Sequence, residues 1–178
     1  LLLEIDTGFV VIDPRIAGER ILYEKLLARA RTDTPLSQQL LLPESITLPP
    51  AQAEQLRGWL PLLHRMGFGV AEFDGATFMI DALPPEVIDI PCRTMLLDIC
   101  HDLETLGAKR GGEGWREELL ARAASAAMRH TKPLTAIAAA EQLLNELAKC
   151  RMPYTCPRGR PTMILTTHRE LARKFGTT

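Results

Sequence analysis

The sequence has no apolar run approaching the roughly 20 residues needed to cross a bilayer, and stretches such as Leu40-Leu41-Leu42 are far too short. A membrane-spanning helix is therefore not expected. The four cysteines, Cys92, Cys100, Cys150 and Cys156, form no CxxC pair, and nothing at the N-terminus reads as a secretory signal. That places the expected setting in a reducing, cytoplasmic compartment. There is also no excess of positive charge, since the formal net charge is −1. Clustered Lys and Arg supply most non-specific affinity for nucleic acid, so DNA contact should be weak, local or assisted. Gly111-Gly112-Glu113-Gly114 has no following Lys-Ser/Thr and reads as a connection, not a phosphate cradle. Internal repeats and low-complexity segments are absent as well. What is present is an ordinary globular composition of 46% hydrophobic and 24% charged residues in 178, enough for a real core as one domain or two small lobes.

The order of elements is legible from turn and cap chemistry. Residues 1–13 hold two apolar runs broken by Asp6-Thr7-Gly8, the signal of a hairpin. The chain begins abruptly inside the first of these runs, as a piece of a longer protein would. Asp13 stands where an N-cap belongs and Pro14 at the first helical position, and the stripe Ile16, Ala17, Ile21, Leu22, Leu26, Ala30 predicts a helix over 14–31. A linker over 32–37 precedes a strand from Gln38 to Leu48 interrupted by Pro43. A helix from Pro50 to Met66-Gly67, a hairpin about Asp74-Gly75 and a helix near 91–106 follow. Beyond the glycine loop, a helix over 115–130 carries small residues at 123, 124, 126 and 127 that permit close approach. A further helix runs from Pro133 to Lys149, and the tail reads as the turn CPRGRP, a strand MILTT and a short helix. Cys100-His101 on the third helix reads as one core thiol and one surface imidazole.

Two motifs carry chemistry. In Asp13-Pro-Arg-Ile-Ala-Gly-Glu19-Arg-Ile-Leu-Tyr-Glu24, three carboxylates lie near one helix start, where they could share a divalent cation. The plain reading is equally physical: Asp13 caps the helix, and Arg15 and Glu19 have ion-pair spacing. Cys156-Pro157-Arg158-Gly159-Arg160-Pro161 is a rigid turn presenting a thiol and two guanidinium groups, suited to an anion or simply to joining helix and strand.

Taken together, and in this order, the two motifs resemble those of MutL-type DNA mismatch-repair proteins, whose C-terminal domains pair an Asp-Gln-His-Ala-x2-Glu-x4-Glu helix start with a terminal Cys-Pro-His-Gly-Arg-Pro turn. The resemblance covers nearly the whole chain and is most specific at its ending. It implies an α+β fold of two lobes, a dimerisation lobe of residues 1–35 plus 124–178 and a central, external lobe of 36–123. It further implies a homodimer that couples N-terminal ATPase modules, which lie outside this sequence and would hold the only ATP. Expected partners are a second copy, a sliding clamp, a mismatch-recognition protein of the MutS type and, weakly, DNA.

Departures from the pattern bear on activity. The Gln-His-Ala stretch is Pro14-Arg15-Ile16, the second-motif histidine is Arg158, and the small Ala-Cys-Arg/Lys motif falls at Ala123-Ala124-Ser125 without a cysteine. A guanidinium has no lone pair to give a metal. Of the implied zinc or manganese ligands Glu19 and Cys156 remain, with Asp13 and Glu24 nearby in sequence, so the nicking activity of the family is expected to be lost and no cofactor is expected. The alternative is a metal-dependent nicking endonuclease stimulated by the clamp, using the residual acids. Since both histidines are exchanged for arginine, Arg15 and Arg158 are expected to neutralise Asp13 and Glu19, with Arg158 and Arg160 open to phosphate contact. Gln38-Gln39-Leu40-Leu41-Leu42-Pro43 is similar to the clamp-binding peptide of the family, with Gln38, Leu41 and Leu42 as its anchor and plugs.

Overall fold

The structure is a computed structural model that describes residues 1–31, 36–104 and 113–177, with the side chains of 103–104 and 113–116 outside the description. Residues 32–35 of the linker expected over 32–37, and Gly111-Gly112 of the glycine connection, fall outside those residues. The elements alternate as β1 (Leu2–Ile5), β2 (Gly8–Ile12), α1 (Pro14–Arg29), β3 (Gln38–Thr47), α2 (Pro50–Arg65), β4 (Gly69–Asp74), β5 (Thr77–Leu83), α3 (Cys92–Glu104), α4 (Glu113–Arg129), α5 (Ile137–Ala148), β6 (Met163–Thr167) and α6 (His168–Lys174). This is the expected α+β class, with helices and two small antiparallel sheets. Two compact units result, one of Leu1–Ile21 with Lys132–Thr178 and the other of Leu22–Thr131. These limits lie inside the ones read from the sequence at 35 and 124. Leu22, Tyr23 and Leu26 of α1, and Leu119, Leu120 and Ala121 with the alanines that follow on α4, are buried in the core of the second unit.

In the first unit the strands are ordered β1-β2-β6, all antiparallel. The period-two alternation of the strands separates two faces. Ile12 is buried with Ala17 of α1 and Leu147 of α5, and Leu1, Leu3, Val10 and Met163 pack against them. On the opposite face Leu2, Val11 and Ile164 stand in register across the three strands. Gly8 lies where β6 passes closest: its φ is +158°, and a Cβ there would come within 2.2 Å of the Thr166 carbonyl oxygen. Asp13 caps α1 as expected, its Oδ1 accepting the N–H groups of Arg15 at 2.8 Å and Ile16 at 3.1 Å. The helix predicted from Pro133 starts later, at Ile137, with no side-chain cap at Ala136. Its early apolar residues Leu134 and Ile137 are exposed, so burial drives the helix only from the turns that carry Leu143, Leu144 and Leu147 to the sheet. α6, by contrast, opens on a complete capping box between Thr167 and Glu170.

In the second unit the strands are ordered β3-β5-β4. The core gathers Phe78, Ile80 and Leu83 of β5 with Leu56 and Leu63 of α2, Met95 and Ile99 of α3 and Leu119 of α4. Burying each of these side chains is worth about 1.5–3 kcal/mol. The small residues Ala123, Ala124, Ala126 and Ala127 of α4 are buried, and α3 and α4 pack together. Cys100 is buried and the neighbouring His101 exposed, as read from the sequence. β3 does not break at Pro43 but bulges: Gln39 is paired with Ala82 and Glu44 with Ile80, so the intervening residues lie outside the ladder. Proline has no N–H to offer that ladder.

Beside the α4 C-terminus, Arg129 donates to Asp98 at 2.9 Å and to Asp102 at 3.0 Å, while His130 Nε2 meets the same Asp98 oxygen at 2.9 Å. Partial burial would raise the Asp98 pKa, but the hydrogen bonds from His130 and Arg129 outweigh it and hold it below the ordinary 3.8. Because the folded protein binds this proton more weakly than the unfolded chain, the stabilisation is complete above pH 3.8 and is lost as the pH falls through the lower folded value. Replacing Asp98 with Asn is expected to lower stability by about 1 kcal/mol near neutrality. Urea melts of both proteins over acidic pH should show that gap closing below 3.8.

Candidate functional site

The Cys156–Pro161 turn is built by its own backbone. The Cys156 carbonyl accepts the Gly159 N–H at 2.9 Å, and the Cys156 N–H donates to the Arg160 carbonyl at 2.8 Å. Gly159 has a φ of +79°, so this is a three-residue hairpin loop with glycine at its left-handed position and Pro157 at the position that favours its fixed φ. Thr155 and Pro161 form a bridge on either side. Thr162 closes the base, donating from its N–H to Tyr154 and from its hydroxyl to Pro153 while its carbonyl accepts the Asp13 N–H at 3.1 Å. Through that last bond the second motif meets the first.

Two neighbouring residues of α1 complete the junction. Ala17, Gly18, Glu19 and Arg20 are consecutive and all buried, which an amphipathic surface helix would not show. The Arg20 Nε donates to the Thr155 carbonyl at 2.6 Å. One guanidinium nitrogen of Arg160 donates to both carboxylate oxygens of Glu19, at 2.6 and 2.7 Å. The Glu19 side chain is 7% exposed and that of Arg160 49%. Arg160 is also hydrogen-bonded to the Cys156 side chain, and the two contacts, Glu19 first, raise its pKa above the ordinary arginine value. Arg160 therefore contacts both the acid and the thiol that the two motifs bring together.

The arrangement differs from the expected one. Arg15 and Arg158 were the residues assigned to Asp13 and Glu19, but the guanidinium found on Glu19 is that of Arg160. Asp13 spends one oxygen on the α1 backbone. Arg15 and Arg158 are exposed. Since Arg160 falls in the part of the turn shared with the family pattern, its ion pair does not depend on the exchange of histidine for arginine. Glu24 belongs to the second unit and is half-buried. Sequence reading missed Arg20 altogether, although its place among four small or charged residues on one turn carried a signal. In the second unit Gln38 is exposed, and Leu41 and Leu42, within the β3 bulge, are 97% and 77% exposed.

As a metal centre the donor set falls short. Zinc takes four ligands, or three from protein plus water when it is catalytic. Among the described residues no three of His, Cys, Asp and Glu gather around a common point, and the two remaining donors, Glu19 and Cys156, both face the Arg160 cation. These residues do not fit a tightly held divalent ion.

A family model described as the MutL C terminal dimerisation domain matches residues 1–134. The DNA mismatch repair protein MutL of Chlorobaculum tepidum is 36% identical over 181 residues, covering 100% of this chain and 28% of that protein. MutL of Opitutus terrae is 36% identical over 182 residues, with 98% and 28% covered, and that of Agathobacter rectalis 29% identical over 174 residues, with 98% and 27% covered. The chain thus spans little more than a quarter of the length of these relatives. Among the described residues no helix is long and apolar enough to cross a membrane.

Removing Arg160 takes a charged partner away from a buried carboxylate, a change that costs about 3 kcal/mol. Arg160→Ala is expected to show that loss in urea unfolding. Arg160→Lys should retain most of the stability, because a single nitrogen makes both contacts with Glu19. Equal stability of the alanine variant and the parent would show that the pair contributes nothing.

Proposed function

We propose that this chain, which belongs to the family of MutL C-terminal dimerisation domains, joins two copies of a longer mismatch-repair protein and does so without a metal-dependent nicking centre. The observation that carries the joining role is the open face of the first sheet. Leu2, Val11 and Ile164, aligned on neighbouring strands, are 68%, 47% and 57% exposed. Apolar residues aligned in this way on a sheet face call for a cover, and a second copy supplies one through a two-fold, self-complementary interface. Pairing at this end of the longer protein would raise the effective concentration of whatever the remaining sequence carries.

The loss of nicking is inferred from the donor set. A resident ion supplies a Lewis acid and an activated water in metal-dependent hydrolysis of DNA. Here Arg15, Ala124 and Arg158 stand at the positions of three expected ligands, and Glu19 is engaged by Arg160. Sedimentation velocity at micromolar concentration and a nicking assay on supercoiled DNA with manganese test the two halves separately. A dimer that Val11→Asp with Ile164→Asp converts to monomer, and uncut plasmid, are expected. A persistent monomer defeats the first half, and nicking abolished by Asp13→Ala or Glu19→Ala defeats the second.

The β3 bulge is the place for a sliding clamp. Its extended leucines, almost fully exposed at Leu41, suit an apolar pocket, with Gln38 as the polar anchor. Gln38→Ala with Leu41→Ala should abolish co-elution with the clamp while leaving the dimer intact. Unchanged clamp affinity would reject this docking site.

A further inference from the structure

Charge is segregated along this chain to a degree that the net value hides. Residues 149–178 contain seven lysines and arginines against one acid, Glu170, whereas the rest contains fourteen against twenty-one. A net charge of +6 in the final stretch is set against −7 in the remainder.

The fold places this charge at the two ends of a single edge strand. β6 lies at the border of its sheet, paired on one side with β2. Arg158 and Arg160 precede it in the turn, and Arg169, Arg173 and Lys174 follow it on α6. The one acid among them, Glu170, accepts from the Thr167 N–H at 2.8 Å and from the Thr167 hydroxyl at 3.0 Å and offsets one of the three cations of α6. Arg169, Arg173 and Lys174 are exposed and form no ion pair among the described residues. Arg169 and Arg173, four residues apart, share a helix face. Five residues of strand extend about 17 Å, which is the rise of about five base pairs of duplex.

We propose that the two ends of β6 form a contact for the phosphate backbone of duplex DNA, with Arg169, Arg173 and Lys174 of α6 at one end and Arg158 of the turn at the other. Naming duplex DNA rests on the mismatch-repair reading above, whereas the cationic surface stands by itself. The contact is sequence-independent, since it offers charge to phosphates and no element to a groove. Arg160, tied to Glu19, is the fixed member from which the exposed Arg158 extends.

Fluorescence anisotropy of a labelled duplex of about 20 base pairs, titrated with the 178-residue chain at several salt concentrations, tests the contact. Binding that weakens steeply with salt is expected. Arg169→Ala with Arg173→Ala and Lys174→Ala should weaken it about tenfold or more at low salt and flatten the log–log salt slope by about 2–3. Arg169→Lys with Arg173→Lys should preserve both quantities, and Arg158→Ala should give a smaller, separate loss. Absence of binding by the parent, or parental binding by both the triple alanine variant and Arg158→Ala, overturns the proposal. Polyglutamate binding equal to that of the duplex overturns the choice of DNA in favour of an acidic protein. Sedimentation of the same samples separates this result from the dimer reading, because a monomer that still binds DNA defeats only the latter.

Discussion

The first unit depends on one buried carboxylate and the cation that satisfies it. Glu19, held by α1 inside the protein, would be costly without a partner. Arg160 reaches it from a turn 141 residues further along the chain. The buried face of α1 is therefore completed by residues from the far end of the sequence. Arg20, bonded to the carbonyl of Thr155, adds a second tie in the same place, and the Asp13 N–H adds a third through Thr162. The motif that resembles a metal site is thus also the clasp between the two sequence ends of the unit.

That double use explains how a metal-site pattern can lose its histidines and keep its shape. The turn is closed by backbone hydrogen bonds around Cys156 and by Gly159, none of which needs an imidazole. The acid is balanced by an arginine already present in the turn. Arg15 and Arg158 are exposed, and none of these backbone bonds runs through their side chains. The backbone of the turn is therefore held by contacts that the exchange does not touch.

Local rules recovered most of the fold. Asp13-Pro14 and Asp74-Gly75 signal their cap and turn through contacts within a few residues, and the structure shows a cap at the one and a hairpin turn at the other. Three features escaped because they are settled at long range. The start of α5 was set by where Leu143 and Leu147 find the sheet, not by Pro133. The limits of the two units were set by where the two cores divide α1 and by the whole of α4 lying with the second. The partner of Glu19 was a choice between arginines in one turn, and spacing cannot decide which of Arg158 and Arg160 turns inward. The final cationic stretch was legible in the sequence, yet summing charge over the whole chain cancelled it.

The β3 bulge has a second meaning for a sheet whose border strand carries nearly bare leucines. A straight border strand with such residues offers an unpaired backbone ladder as well as apolar side chains, and that combination templates uncontrolled addition of further strands. Between Gln39 and Glu44 the ladder to β5 is out of step, and Pro43 has no N–H. Leu41 and Leu42 are thereby presented on backbone that is poorly shaped to recruit another strand. Stickiness is uncoupled from templating: side chains can be read by a pocket while the edge that holds them resists growing into a larger sheet.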